Sequence, residues 1–145
     1  MVREARREDL PGVLELYLHL HETAVPEDSP ALRETWEEIL RLEDHHLLVA
    51  EEEGEIVSSC VCVVVPNLSR GVRPYALIEN VVTRADRRGQ GFATRCLDRA
   101  REIAREKNCY KMMLLTGAKD PETLAFYERA GYNRTDKTAF VQWLE

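Results

Sequence analysis

Apolar positions along the chain repeat with two periods, one typical of helices and one typical of strands. From about Gly91 to Lys107 they recur every three or four residues, which predicts a long amphipathic helix. The stripe expected to face the core is Phe92, Ala93, Cys96, Leu97, Ala100, Ile103 and Ala104. Shorter periodic runs predict two earlier helices, one capped by Asp9 and one that begins at Ser29-Pro30. Asp120-Pro121 opens a last helix that Gly131 ends.

Runs rich in β-branched and aromatic residues predict the strands. They are Val2 to Arg6, His46 to Glu51, Glu55 to Val65, Tyr75 to Thr83, Tyr110 to Thr116 and Arg134 to Leu144. The second and third runs flank Gly54 as a hairpin, and the long helix joins the fourth and fifth runs as a parallel βαβ unit. This order of elements predicts an α/β fold with a mixed central sheet flanked by helices, in one domain that covers residues 1–145.

Composition agrees with an ordinary globular domain and narrows the classes of partner. The chain has 145 residues, of which 44% are hydrophobic and 32% are charged, and its net charge is -6. A negative balance argues against a nucleic-acid partner or an anionic membrane surface, and it tolerates a cationic substrate. No apolar run approaches the roughly 20 residues of a membrane span, and the N-terminus lacks the apolar centre of a signal peptide. We therefore expect a cytoplasmic protein.

The four cysteines do not form a pattern typical of metal binding. Cys60, Cys62, Cys96 and Cys109 contain no CxxC spacing and have no nearby pair of histidines. Cysteines in strand-like and helical apolar positions commonly behave as small core residues. We therefore expect buried free thiols and no metal site.

Candidate chemistry concentrates where the fourth strand meets the long helix, in the segment Arg88 to Ala93. A helix that begins in glycine-containing backbone offers unpaired N–H groups and a positive dipole end to a phosphate. Gly89 and Gly91 permit close approach of a ligand to the backbone, and Arg84, Arg87 and Arg88 add positive charge. The alternative is that the glycines only turn the chain and the arginines are solvated. The segment lacks the Lys-Ser/Thr pair of a P-loop and the glycine spacing of a dinucleotide fingerprint.

In order of elements, the whole chain resembles the GCN5-related N-acetyltransferases (GNAT). The most specific part is Arg88-x-x-Gly91-x-Ala93, which resembles the family's Arg/Gln-x-x-Gly-x-Gly/Ala pyrophosphate loop. Downstream, Phe126-Tyr127-Glu128 followed by Gly131-Tyr132 resembles the family's FYE-x-x-GF element. The resemblance implies an acyl-CoA N-acyltransferase fold with acetyl-CoA as cosubstrate.

This resemblance also implies how acetyl-CoA is held. Backbone amides from Gln90 to Thr94 would hold the pyrophosphate, and the pantetheine arm would lie between the parallel strands near Leu115. The residues expected to bind it are Val81, Val82, Arg87, Arg88, Gly89, Gln90, Gly91, Phe92, Ala93, Thr94 and Tyr127. Asp120 stands where the family often has Asn, and a helix N-cap explains Asp120 better than cofactor contact does.

Acetylation of an amine requires a proton acceptor, an oxyanion donor and a proton source for the thiolate. Glu79 interrupts an apolar strand just before the loop and is the candidate base, with a strand-edge ion pair as the alternative. Asn80 is a candidate for orienting substrate or water. By resemblance, Tyr127 is the acid and a backbone N–H near Val81 or Val82 is the oxyanion donor, while aromatic packing is the alternative for Tyr127.

The acceptor is expected to be a primary amine, predicted to belong to a small molecule, whose pocket is formed by Leu20 to Pro30 and Thr135 to Phe140. The position of Glu79 and the segment Asn108 to Lys111 resemble glucosamine-6-phosphate N-acetyltransferases. Because Leu115 to Gly117 lacks the acidic pattern associated with that strand, the phosphosugar specificity does not carry over.

Two other functions are left open by the sequence. A protein lysine or N-terminal acetyltransferase would need an open groove, which the sequence does not reveal. A noncatalytic acyl-CoA-binding domain would keep the loop, but retention of both Glu79 and Tyr127 argues against it. By family precedent, a homodimer is also expected.

Overall fold

The computed structural model describes residues 1–145 and contains one five-stranded mixed sheet with helices on both faces. The strands are β1 (Val2–Glu4), β2 (His45–Glu52), β3 (Glu55–Val65), β4 (Tyr75–Thr83) and β5 (Met112–Leu114). The helices are α1 (Leu10–Tyr17), α2 (Pro30–Arg41), α3 (Phe92–Glu106) and α4 (Pro121–Arg129). Single-turn helices occupy Arg7–Asp9 and Ala85–Arg87, and Ser69–Val72 is a turn in which Arg70, Gly71 and Val72 have positive φ. The predicted α/β class is confirmed.

The strands lie in the sheet in the order in which they occur along the chain. Strands β1 to β4 pair antiparallel, and β4 pairs with β5 in parallel. Helix α3 connects the parallel pair, which confirms the predicted βαβ unit. Strands β1 and β5 are the two edges of the sheet.

Alternate residues of the central strands face two separate cores, as the period of two requires. In β2, Leu48 and Ala50 pack in a cluster with α3, whereas Leu47 and Val49 pack in a second cluster with α1 and α2. All of the predicted stripe of α3 is buried except Ala93, which is half-buried. The sheet is therefore a layer between α1 and α2 on one face and α3 on the other.

The helices begin and end close to the capping residues from which they are predicted. Ser29 Oγ accepts a hydrogen bond from the Leu32 N–H at 3.1 Å, and Asp120 Oδ2 accepts one from the Thr123 N–H at 2.9 Å. Asn108 follows α3 in the left-handed region, with φ 61°. Asp9 differs from its prediction, because its carboxylate makes no N-cap hydrogen bond to α1 and instead accepts from the Arg3 guanidinium at 2.6 Å.

The prediction of a final strand from Arg134 to Leu144 is wrong for this chain. Residues 133–145 are exposed, and residues 137–145 make no hydrogen bond or ion pair. A strand forms only when its backbone groups find partners, and nothing in this chain pairs with the segment. Strand β5 is also shorter than the predicted Tyr110 to Thr116 because its pairing with β4 ends at Leu114.

None of the helices combines the length and the apolar character that crossing a membrane would require.

Candidate active site

The parallel strands β4 and β5 separate part-way along their length. Their register pairs Ala76 with Met112 and Ile78 with Leu114, and it ends there. Strand β4 continues to Thr83 without a neighbour on this side, while Leu115 is 46% exposed just beyond β5. Because strand N–H groups alternate in direction, some of those after Ile78 point into this cleft without a strand partner. The cleft can therefore accept an extended, hydrogen-bonding ligand.

A β-bulge lies in β4 at the mouth of the cleft. Ser59 of β3 pairs with Val82 and Val61 pairs with Glu79, so Asn80 and Val81 together face only one residue of β3. Asn80 has φ 50°, in the left-handed region that few residues other than glycine and asparagine adopt. Such bulges disrupt the ladder and redirect side chains, and they are common beside active sites. Here the bulge re-aims β4 immediately after Glu79.

The segment that leads into α3 presents a row of free backbone amides. None of the N–H groups from Gly89 to Thr94 donates a hydrogen bond within the protein. Gly89 and Gly91 have φ 75° and 83°, and a Cβ at either position would meet open space. The left-handed backbone at these two residues is what glycine permits. Free amides at the positive end of a 15-residue helix can hold an anion, which makes this segment a candidate anion site.

The arginines predicted to assist this anion site differ in whether nearby carboxylates neutralise their charge. Arg84 is paired with Glu55 and Asp86, both at 2.7 Å, and Arg87 is paired with Glu52 at 2.8 Å. Arg88 instead donates to two backbone carbonyls, Thr83 O at 3.2 Å and His19 O at 3.3 Å. Of the three, only Arg88 keeps a charge that no carboxylate neutralises.

Arg95 is a residue of this site that the sequence reasoning missed. Its guanidinium donates to Gln90 O at 3.0 Å and to Gly91 O at 3.3 Å, and it lies 4.5 Å from the centre of the Phe92 ring. The helix dipole disfavours a cation in the first turn of a helix. The contacts of Arg95 with the two carbonyls and the ring offset this unfavourable effect. The signal in the sequence that could have identified Arg95 is its position four residues after Gly91. By holding the loop carbonyls, Arg95 fixes the direction of the loop.

The side chain of Phe92 is 4% exposed and belongs to the core, so only its backbone faces the loop. Val82 is likewise buried, at 5% exposure, and its carbonyl accepts a hydrogen bond from Ser58 Oγ at 2.9 Å. Val81 is half-buried against the core beneath α3. Gln90 and Thr94 are exposed, and Ala93 is half-buried. The predicted binding residues from 88 to 94 are thus contiguous at one surface.

Glu79 is exposed at the point where the β4–β5 pairing has just ended. It makes no ion pair and no hydrogen bond, which removes the strand-edge ion pair as an explanation for it. Glu79 is the cross-strand partner of Val61, whose side chain packs with α1 and α2. Its carboxylate therefore belongs to the face of the sheet that α1 and α2 cover.

Tyr17, which contacts Asn80, is a second residue near this site that the sequence analysis does not identify. The side chain of Asn80 lies beside the hydroxyl of Tyr17, the last residue of α1. Burial raises the pKa of Tyr17, and the contact with Asn80 offsets part of that rise. The hydroxyl is therefore protonated at neutral pH and can donate to a polar ligand near the bulge.

Tyr127 lies in α4 and packs against the core on the α3 side of the sheet. Its ring makes edge contacts with Phe126 at 5.1 Å and with Tyr132 at 6.3 Å between centroids. Burial raises the pKa of Tyr127, so its hydroxyl keeps its proton at neutral pH. Glu79 and Tyr127 thus belong to opposite faces of the sheet.

The segments expected to form the acceptor pocket do not enclose the cleft. Residues 21–28 and Thr135 to Phe140 are exposed. Two cavities lie elsewhere: one of about 250 Å³ beside His45 and His46, and one of about 530 Å³ lined mostly by polar residues, among them Arg3 and His19. The cleft is open to solvent, since Glu79 and Leu115 at its opening are exposed.

Residues 10–132 match the family model described as the acetyltransferase (GNAT) family, and the chain belongs to that family. It is 32% identical over 110 residues to a rice protein named glucosamine 6-phosphate N-acetyltransferase 1, covering 74% of this chain and 65% of that one. A solved structure from Agrobacterium tumefaciens, named provisionally as an acetyltransferase, is 40% identical with a TM-score of 0.91 over 99% of both chains.

A further structural likeness is to an aminoglycoside N-acetyltransferase solved in complex with CoA, at 15% identity and a TM-score of 0.75 over 99% of this chain and 98% of that one. At that identity the likeness concerns the fold alone. The match to the plant and trypanosome glucosamine 6-phosphate N-acetyltransferases spans only 55% to 65% of their lengths.

Proposed function

We propose that this chain is an N-acetyltransferase that uses acetyl-CoA to acetylate a primary amine of a small molecule by direct transfer. One observation carries the proposal: the parallel strands β4 and β5 open directly beside a helix N-terminus whose amides from Gly89 to Thr94 are free. A phosphate-bearing ligand with a long extended arm fits both features at once.

The chain's own groups suit the parts of acetyl-CoA. The amides of the loop would bind the pyrophosphate, Arg88 would add charge, and Arg95 would hold the loop carbonyls away from it. The backbone groups of β4 between Glu79 and Thr83 that face the cleft, and therefore lack a strand partner, would hydrogen-bond the amide groups of the extended arm of acetyl-CoA. Acetyl-CoA would supply an acetyl group activated as a thioester.

Four groups of the chain would carry the transfer. The free carboxylate of Glu79 would accept the proton of the attacking amine, directly or through water, and Asn80 would orient that amine or water. An N–H of the bulge at Val81 or Val82 would stabilise the negative charge on the carbonyl oxygen. Tyr127 would hold the proton for the departing sulfur. The new bond is C–N, the broken bond is C–S, and base and acid approach from opposite faces of the sheet.

The class of acceptor amine is proposed from the named relatives and from the exposure of the acceptor side. Relatives named for glucosamine 6-phosphate make amino-sugar phosphates the first acceptors to test. The exposure of residues 21–28 leaves the acceptor side open, which favours a protein amine as the second candidate.

A panel of amines with acetyl-CoA, followed by release of free thiol, tests the proposal. The panel should contain glucosamine 6-phosphate, an aminoglycoside, a polyamine and a lysine peptide. We expect thiol release that depends on one class of amine and an acetylated product in its mass spectrum. Binding of acetyl-CoA with no transfer to any amine would instead favour a noncatalytic acyl-CoA-binding domain.

A further inference from the structure

The face of the sheet that carries Glu79 is open over β4 and β5. Helix α1 packs mainly on β3 and α2 mainly on β2, so both lie towards the other side of this face. Leu77 of β4 and Met113 of β5 are neighbours in the register, are only half-buried and belong to neither core cluster. A partly apolar surface therefore lies next to the candidate base, where it can hold the body of an acceptor.

Side chains on this face of β4 follow a fixed order. Ala76 and Ile78 pack in the cluster with α3. Tyr75, Leu77 and Glu79 alternate with them and therefore lie on the opposite face. A strand rises about 3.3 Å per residue, which separates the Cα atoms of Tyr75 and Glu79 by about 13 Å. The open face thus runs from a free carboxylate, across apolar side chains, to a tyrosine.

Two cations without carboxylate partners lie at the tyrosine end of this face. Lys111 Nζ lies 5.5 Å from the centre of the Tyr75 ring and 5.4 Å from that of Tyr110. The guanidinium of Arg70 also lies 5.4 Å from the centre of the Tyr110 ring. Neither cation forms an ion pair. Two like charges at one ring, in a chain of net charge -6, favour an anionic ligand at this place.

The neighbouring groups leave this positive charge uncompensated. Arg73 donates to two backbone carbonyls, Asn108 O and Cys109 O, both at 3.2 Å, and forms no ion pair. The acidic residues beside the same loop, Glu43 and Asp44, share Lys107 at 3.5 and 3.2 Å. Arg73 therefore adds a third charge to this end of the sheet, and no carboxylate of the chain offsets it.

We infer that this face takes a primary amine that carries an oxyanion, a phosphate or a carboxylate, about 10 Å from its nitrogen, which is the 13 Å strand distance less one hydrogen-bond length of ~3 Å. The inference rests on the proposed function, in which Glu79 receives the proton of the amine. The amine would lie at Glu79, the oxyanion at Lys111 and Arg70, and the apolar middle of the molecule along Leu77 and Met113. A hexosamine 6-phosphate is too short, because its ring shortens the path from nitrogen to phosphorus.

Three amines measured by calorimetry in millimolar CoA, which carries no acetyl group to transfer, test this inference. Extended aminohexyl phosphate places its nitrogen and phosphorus about 10 Å apart, at the ~1.2 Å per bond of an extended chain, and aminoethyl phosphate places them about 5 Å apart. Aminohexanol has the longer chain without the anion. We expect aminohexyl phosphate to bind at least about tenfold more tightly than either of the others, as a hydrogen bond to a charged group implies. Equal affinities, or no binding of aminohexyl phosphate, would overturn the inference.

Substitutions of the cations identify the oxyanion site. Lys111→Met should weaken binding of aminohexyl phosphate by about tenfold to a hundredfold, and Lys111→Arg should retain it. Arg70→Met, which alters an exposed side chain, should weaken binding in the same direction. Arg105→Met is the matched control, because Arg105 is an exposed cation of α3, on the other face of the sheet, and forms no ion pair. Unchanged affinity in both Lys111→Met and Arg70→Met would overturn the inference.

Thiol release from acetyl-CoA with the same amines separates this inference from the proposed function. Lys111→Met should raise the KM for aminohexyl phosphate about tenfold and change kcat little, because the lost contact is equal in the ground state and the transition state. Release with other amines, without a preference that depends on Lys111, overturns the inference alone. Binding that depends on Lys111, with no release from any amine, contradicts the proposed function and supports the oxyanion site.

Discussion

At the scale of single residues, Glu79 carries the most specific of the proposed chemical roles. It is a free carboxylate at the opening of the β4–β5 cleft. Replacement by Gln keeps the size and removes basicity, so kcat/KM should fall by about a hundredfold to ten-thousandfold near neutral pH. The loss should shrink at high pH, because more of the free amine is then already neutral.

A pH profile of kcat/KM for both proteins measures this effect. Glu34→Gln is the matched control, since Glu34 is exposed on α2 without a partner, and it should be unchanged. Full activity of Glu79→Gln, or a loss that is flat with pH and accompanied by a lower melting temperature, would assign the base elsewhere.

Tyr127→Phe should lower kcat more than it weakens acetyl-CoA binding, because only the hydroxyl is removed. The raised pKa of Tyr127 means that the folded protein keeps this proton well into the alkaline range, so the effect should persist there. Tyr132→Phe is the control. Its hydroxyl is buried without a hydrogen-bond partner, and removing it should leave kcat unchanged. An unaltered kcat for Tyr127→Phe, measured where chemistry limits the rate, would leave Tyr127 with packing alone.

Some residues of the candidate site can be predicted from the sequence and others cannot. The loop glycines and Glu79 were predicted because their residue types are unusual for their elements. Arg95 and Tyr17 were missed because an arginine and a tyrosine are ordinary on an amphipathic helix. Their contacts with the loop carbonyls and with Asn80 depend on how α3 and α1 pack, which no local pattern specifies.

At the scale of elements, the N-terminus of α3 carries the binding hypothesis. Gly91→Val would place a branched side chain where the pyrophosphate approaches the backbone, so CoA binding should weaken strongly while the fold survives. Gly54→Val is a matched control, because Gly54 has φ 79° with open space around it, in the distant β2–β3 turn. Calorimetry should show normal CoA affinity for Gly54→Val. Normal affinity of Gly91→Val would refute the loop assignment.

A charged cluster around Arg3 links strand β1 to its neighbours. Arg3 pairs at 2.6 Å with Asp9, which is 7% exposed, and at 2.6 Å with Glu51. Arg3→Met would leave a largely buried carboxylate without its cation, which should cost roughly 2 kcal/mol in the free energy of unfolding. The exposed pair of Arg7 with Glu37 makes Arg7→Met the control, with a cost below about 1 kcal/mol.

The loss of unfolding free energy in Arg3→Met should depend on pH, and the pKa of Asp9 gives the direction. The Arg3 guanidinium lowers the pKa of Asp9 in the folded state. A lowered carboxyl pKa contributes stability above the unfolded pKa of about 3.9, and that stability is lost as pH falls through the folded value. Denaturant unfolding should therefore show the Arg3→Met deficit at neutral pH and a smaller one below about pH 4. An equal deficit at all pH values would contradict the ion-pair explanation.

The elements differ in how well the sequence predicts them. Helix α3 and the hairpin of β2 and β3 were predicted because their periodicity, glycines and caps agree with one another. The final strand was predicted from the same kind of pattern, yet it is absent. Strand formation depends on a partner, and the pattern of one segment does not contain that partner.

At the scale of the whole molecule, the parallel pair β4 and β5 connects the proposed phosphate site with the proposed catalytic residues. The loop before α3 would bind the phosphates of acetyl-CoA, and the separated strands would guide its extended arm towards Glu79 and Tyr127. The sequence predicted the parallel pair through its crossover helix. The separation after Ile78 and the bulge at Asn80 arise from sheet pairing, which becomes visible only in the assembled fold.

Thermal unfolding with and without acetyl-CoA tests the central claim most directly. A ligand at about a hundredfold above its Kd stabilises the folded state by roughly 2.7 kcal/mol, which a melting curve registers. We expect millimolar acetyl-CoA to raise the Tm of the unaltered chain and of Gly54→Val, and to leave that of Gly91→Val unchanged. An unaltered chain whose Tm does not move in millimolar acetyl-CoA would contradict the account.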